Sequence, residues 1–136
     1  MAIKSKKVKL GVRERRKLRV RKKIVGSDQR PRICVFRSSK YTYVQVISDQ
    51  SQRTLLSAST RESAVIAAIK SRSDDKAAKA ASSSKSIAAA HALGQIIAQR
   101  VQEKGLDQVV FDRNGFLYCG RVKAVADGIR DGGVVI

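Results

Sequence analysis

Apolar positions in this chain follow two spacings, and the switch between them divides the sequence into elements. Between residues 32 and 59 the apolar residues come in short β-branched runs. Arg32 to Arg37 (Arg-Ile-Cys-Val-Phe-Arg) reads as a strand buried on both faces. Tyr41 to Ile47 is rich in β-formers, and Arg53 to Ser59 makes a third strand. Ser38-Ser39-Lys40 and Asp49-Gln50-Ser51-Gln52 join them, and connections this short imply an antiparallel meander. Pro31 stands at the entry of the first strand, where its missing N–H is tolerated.

Further on the period lengthens. Ile87, Ala90, Leu93, Gly94, Ile97, Ala98 and Val101 recur at three- and four-residue steps, which predicts a core-facing helix over 87–104. Ser84 or Ser86 can cap its start, and Gly105 stands where a C-terminal cap is favoured. Asp107 to Phe111 reads as a fourth, buried strand, and Asp112-Arg113-Asn114-Gly115 as a turn. Val122, Val125, Ala126 and Ile129 mark a final amphipathic helix from near Gly120 to the Asp131-Gly132-Gly133 stop. Between 61 and 86 the composition turns to Ala, Ser, Lys and Asp, with a short helix at 63–70 and otherwise loop. The predicted fold is α/β: a mixed sheet in which a three-stranded antiparallel meander is joined by a fourth strand after a crossover helix, with helices packed on one face.

Charge changes the picture most. The 136 residues carry 29 Lys and Arg against 11 Asp and Glu, a net +18. Residues 1–25 hold twelve of the bases and one acid, Glu14, whereas residues 41–136 carry a net charge of only +4. The chain therefore divides into a basic arm, 1–28, flexible or partly helical when free, and one α/β domain, 29–136, with an insertion around 61–86. Few apolar positions and like charges at helical spacing weaken any isolated helix in the arm, so it is expected to order on binding. Such an excess calls for a polyanionic partner. Neutralising phosphates releases condensed counterions and gives tight, salt-sensitive binding, and Arg suits forked phosphate contacts.

Other classes are excluded. No apolar run approaches the roughly 20 residues of a spanning helix, and no apolar segment of a secretory signal follows the basic start. The one histidine, His91, has no designated nucleophile or carboxylate partner, and neither a P-loop nor a Gly-x-Gly-x-x-Gly turn is present. No enzyme activity, cofactor, metal or small-molecule substrate is expected. Cys34 and Cys119 read as buried, reduced thiols. Aromatic residues make up 4% of the chain, which argues against a single-strand stacking platform. Folded RNA read by backbone and shape remains, alongside a nucleoid-type, sequence-nonspecific DNA binder; charge alone does not choose.

Three stretches in order do choose. Lys17-Leu18-Arg19-Val20-Arg21-Lys22-Lys23-Ile24 leads into Arg30-Pro31-Arg32-Ile33-Cys34-Val35-Phe36-Arg37-Ser38, then Tyr43-Val44-Gln45-Val46-Ile47. Near the end come Val109-Val110-Phe111-Asp112-Arg113, Gly120-Arg121-Val122-Lys123-Ala124-Val125-Ala126-Asp127 and Gly132-Gly133. The chain resembles the bacterial-type large-subunit ribosomal protein eighteen family, outside residues 61–86. The resemblance implies a fold of the translational-machinery type and binding of 5S ribosomal RNA. It also implies contact with large-subunit rRNA and neighbouring proteins of the central protuberance, in cytoplasmic ribosomes. Carried over by position, RNA contacts come from Arg13, Arg15, Arg16, Lys17, Arg19, Arg21, Lys22 and Lys23; from Arg30, Arg32, Arg37, Ser38 and Lys40; and from Tyr43 and Gln45. Arg113, Arg121 and Lys123 match a second basic cluster, the last two at a helix N-terminus that itself favours phosphate. Tyr41 and Cys119 stand where the family usually has His, and Asn114-Gly115-Phe116 replaces the more usual Gly-Gly-Tyr.

Overall fold

The computed structural model describes residues 9–71 and 86–136. In chain order the elements are α1 (Val12–Arg21), β1 (Arg32–Arg37), β2 (Thr42–Ser48), β3 (Arg53–Ser59), α2 (Ser63–Ser71), α3 (Ile87–Glu103), β4 (Val110–Asp112) and α4 (Gly120–Asp131). Most of the Ala/Ser/Lys stretch predicted as an insertion lies outside the described residues.

One four-stranded sheet, ordered β3-β2-β1-β4, forms the centre. The three strands of the meander pair antiparallel, and β4 returns through α3 to pair parallel with β1. The sheet is the mixed one predicted from the sequence. Alternation along β2 sorts its faces. Thr42, Val44, Val46 and Ser48 are buried, while Tyr43, Gln45 and Ile47 between them are half-buried or exposed. On the covered face Ile33 and Val35 of β1 stand opposite Val46 and Val44.

Above that face lie α3 and α4, whose Leu93, Ile97, Val101, Val122, Val125 and Ile129 complete the core. The two helices meet through glycines. A β-carbon on Gly94 would lie 2.3 Å from the Val125 carbonyl oxygen, and one on Gly128 would lie 2.2 Å from the His91 carbonyl oxygen. Backbone-to-backbone approach this close excludes any side chain at either position. Ser86 caps α3, its Oγ accepting from the Ala89 N–H at 3.0 Å, and Gly105 follows the helix in the left-handed region at φ +78°.

Four details depart from the sequence reading. Ile87 is 62% exposed, because it is the first residue of α3 and the packed stripe starts at Ala89 and Ala90. β1 is buried only from Arg32 to Val35; Phe36 and Arg37 at its end are exposed. β4 is shorter and later than predicted, since Val109 bonds instead to the Val135 carbonyl, and Asp112, expected in a turn, ends the strand fully buried. Cys119 is exposed at the head of α4, whereas Cys34 is buried as expected and its thiol is pushed up, chiefly by that burial.

Candidate nucleic-acid interface

The basic arm contributes a ten-residue helix, α1, with no fully buried residue. Hydrophobic packing therefore does not hold it. Its first turn is closed by Glu14, whose carboxylate accepts from the Gly11 N–H at 3.1 Å, so the one acid on the helix is used locally. It docks on the turn after β4 through a glycine: a β-carbon on Gly115, at φ +77°, would lie 2.3 Å from the Arg13 carbonyl oxygen and 3.0 Å from the Lys17 nitrogen. The Arg13 guanidinium sits 4.2 Å from the ring centre of Phe116 and 5.3 Å from that of Phe36. At the other end Arg21 Nε lies 3.6 Å from the Asp112 carboxylate.

These contacts bring α1 against the uncovered face of the sheet. Cys34, Phe36, Tyr43, Gln45 and Ile47 all belong to that face, Phe36 directly opposite Tyr43 and Cys34 opposite Gln45. Between helix and sheet runs a groove of about 560 Å³, edged by Lys17 and Arg21 and lined by Cys34, Phe36, Tyr43, Gln45 and Asn114. The arm and the hairpin residues chosen from sequence thus share one surface.

Arg32 does not belong to it. The residue is 7% exposed and its guanidinium is spent inside. Nη1 donates to Asp112 Oδ2 at 2.8 Å, while Nε and Nη2 donate to Asp49 at 3.0 and 2.9 Å. Asp49 also accepts from the Gly26 N–H at 2.7 Å. Paired so, Arg32 is held further above its ordinary value, first by Asp49, and Asp49 is held below its own, first by Arg32. The group expected to meet RNA instead ties β1 to β4 and to the β2–β3 turn. Apolar periodicity cannot reveal this, because it does not show that two acids converge on a strand's first residue.

The other candidates fall into distinguishable settings. Arg15, Arg19, Arg21, Lys22, Lys23, Arg30, Arg37, Lys40 and Lys123 are exposed, and Arg16 and Lys17 half-exposed. Arg37 lies 5.3 Å from the Phe116 ring centre. At the β1–β2 turn, Ser38 Oγ closes the loop against Tyr41, and Arg121 donates to the Ser38 carbonyl at 2.9 Å. Arg121 is lowered from its ordinary value, first by burial and then by the neighbouring Arg37 charge. Two cations crowded without an acid between them suit a phosphate. Arg113 has other company: its Nη1 donates to the Phe116 carbonyl at 2.8 Å, and it borders a shallow hollow with Val20, Lys23, Ile24, Phe111 and Tyr118. The expected second cluster is thus divided, Arg121 joining the β1–β2 turn and Arg113 the arm. His91 pairs with Asp131 at 2.7 Å, joining α3 to α4.

Sequence reasoning passed over Phe36 and Asn114. Phe36 was legible as the residue beside Arg37 on the face opposite Ile33 and Val35; Asn114 carried no signal beyond its turn. Among the described residues no group of three His, Cys, Asp or Glu side chains is placed to hold a metal.

The family model for ribosomal L18 of archaea, bacteria, mitochondria and chloroplasts matches residues 7–136. The chain belongs to the ribosomal L18 family. A large ribosomal subunit protein uL18 from Desulfatibacillum aliphaticivorans is 50% identical over 122 residues, 89% of each chain. That of Dictyoglomus thermophilum is 45% identical over 123 residues, 90% of this chain and 91% of its own. The uL18 of Trichodesmium erythraeum is 48% identical over 120 residues, 88% of this chain and 90% of its own. The L18 match embraces both α1 and the open sheet face, so the basic surface belongs to the shared part of the chain.

Proposed function

We propose that this chain is a structural component of the large ribosomal subunit that binds 5S rRNA and helps attach it to the large rRNA in the central protuberance. Neighbouring ribosomal proteins there are its further partners, and it catalyses no reaction. One observation carries the reading: α1 sets its cations alongside Tyr43 and Gln45 on the uncovered sheet face, with its own acid, Glu14, bound back to the helix start. A surface so charged, with accessible polar and aromatic side chains between the cations, suits a folded RNA presenting phosphates and base edges together. Membership in the L18 family and the names of its bacterial relatives support the ribosomal setting.

In this reading Arg15, Arg16, Lys17, Arg19, Arg21, Lys22 and Lys23 contact phosphates. Arg37, Lys40, Arg121 and Lys123 extend the contact around the β1–β2 turn, and Arg30 adds a contact at the opposite end of β1. Sucrose-gradient sedimentation of an epitope-tagged chain from cell extract tests the setting. The tag should travel with the large subunit and, after mild dissociation, with 5S rRNA. Recovery with chromosomal DNA would instead favour the nucleoid-type binder.

A further inference from the structure

The groove between α1 and the open sheet face holds an unsatisfied polar group. Asn114 is 5% exposed and lines the groove, and its carboxamide oxygen is buried without a hydrogen-bond partner among the described residues. Its backbone N–H is already used, donating to Asp112 Oδ1 at 2.8 Å. Buried polar atoms are rarely left unpaired in folded proteins, so an orphan beside an open groove points to a ligand that brings a donor.

The rest of the groove describes that ligand. Its aromatic walls are Phe36, 43% exposed, and Tyr43, their ring centres 6.3 Å apart and tilted by 44°. Phe36 is packed by the edge of Phe116 and by Arg13, which fixes the ring while leaving much of it uncovered. Lys17 and Arg21 stand at the rim, and Gln45 offers a further carboxamide. Few as the chain's aromatics are, three of its six stand together here. The volume, about 560 Å³, falls within the roughly 300–1,000 Å³ of sites that take small planar molecules.

We propose that this groove receives a single nucleobase extruded from the bound RNA, stacked against Tyr43 and Phe36, with the flanking phosphates on Lys17 and Arg21 and the Asn114 carboxamide, turned towards the groove as the base enters, accepting an amino or imino hydrogen. The proposal rests on the RNA-binding reading and adds to it a base-reading seat. Every base carries an N–H donor on its Watson–Crick edge, so Asn114 selects for the presence of a base and its presentation, while stacking supplies affinity.

The test uses the full chain and tyrosine fluorescence. The probes are a single-stranded RNA hexamer, a tetrahydrofuran-phosphate oligomer of the same length and charge but without bases, and cytidine monophosphate. The wild type should bind the hexamer about tenfold or more tighter than the abasic oligomer, and the monophosphate far more weakly than the hexamer. Tyr43→Ala should weaken hexamer binding by roughly 5- to 150-fold for the lost stack, Asn114→Gly by roughly 2- to 13-fold for the lost hydrogen bond, and in both the preference for the hexamer over the abasic oligomer should fall. Glycine suits the φ of +55° at position 114, so that variant keeps its turn. Equal binding of hexamer and abasic oligomer, or no effect of either substitution, would overturn the proposal. Monophosphate binding as tight as the hexamer would overturn it in favour of a free-nucleotide site. A separate titration of wild type with 5S rRNA and transfer RNA reads the ribosomal assignment alone: loss of 5S preference there, with base dependence retained, would sink that assignment and not the groove.

Discussion

Arg32 and Asp112, 80 residues apart in sequence, meet at 2.8 Å in the interior and join the first strand of the sheet to the last. Asp112 is fully buried, and among the described residues its one other ion-pair partner is Arg21 at 3.6 Å. Removing one partner of a buried pair strands the other's charge, at a cost of about 3–5 kcal/mol. Arg32→Met should therefore lower the urea midpoint severely, and any folded fraction should bind RNA with an unaltered salt slope. A stable variant with weakened RNA binding would mean that Arg32 faces the RNA after all.

The same network has a pH signature. Asp49 is held below its ordinary value of about 3.9, first by the hydrogen bond from Arg32 and further by the Gly26 N–H. A depressed carboxylate contributes stability that is fully present above its unfolded value and lost as pH falls through its folded value. The stability gap between wild type and Asp49→Asn should thus be full at pH 7 and shrink below about pH 4. Urea melts at pH 7 and at acid pH measure both. A gap that stays constant would remove Asp49 from the linkage.

At the crossing of α3 and α4, Gly94→Ala and Gly128→Ala both drive a β-carbon into main-chain oxygen, at 2.3 and 2.2 Å. Backbone cannot swing aside as a side-chain tip can, so the helices must separate. Each change should cost about 1–3 kcal/mol or more by chemical denaturation. Wild-type stability in either variant would show that the helices have slack between them.

How much of this was legible in the sequence depends on the range of the interaction responsible. β3 and α4 were bounded correctly because turn residues and helical spacing are local, and the return of β4 to the sheet followed from the strand–helix–strand order, whereas its place beside β1 did not. Arg32 was misplaced and Asp112 read as a turn for one shared reason: each looks like a surface residue until the other arrives from the far end of the chain. Cys119 was expected to be buried because its neighbours are apolar, yet Leu117 and Tyr118 beside it are themselves exposed. The arm's charge was plain, but its docking depends on the bare backbone of Gly115 and on the rings of Phe36 at the end of β1 and Phe116 in the turn after β4, which no spacing rule encodes.

Arg15, Arg19 and Lys22 are exposed on or beside α1, and their side chains make no hydrogen bond or ion pair among the described residues. Changing all three to Gln should leave folding intact and reduce the slope of log affinity against log salt by about 2–3, near 0.7–0.9 per lost phosphate contact. An unchanged slope would place the phosphates elsewhere on the chain.

The most direct test is competition. Labelled 5S rRNA is titrated with the full chain at moderate salt, against excess transfer RNA and excess duplex DNA. We predict that the 5S complex survives both competitors. Equal displacement of the 5S RNA by both competitors would contradict specific recognition and leave a basic polyelectrolyte, as the DNA-binding alternative requires.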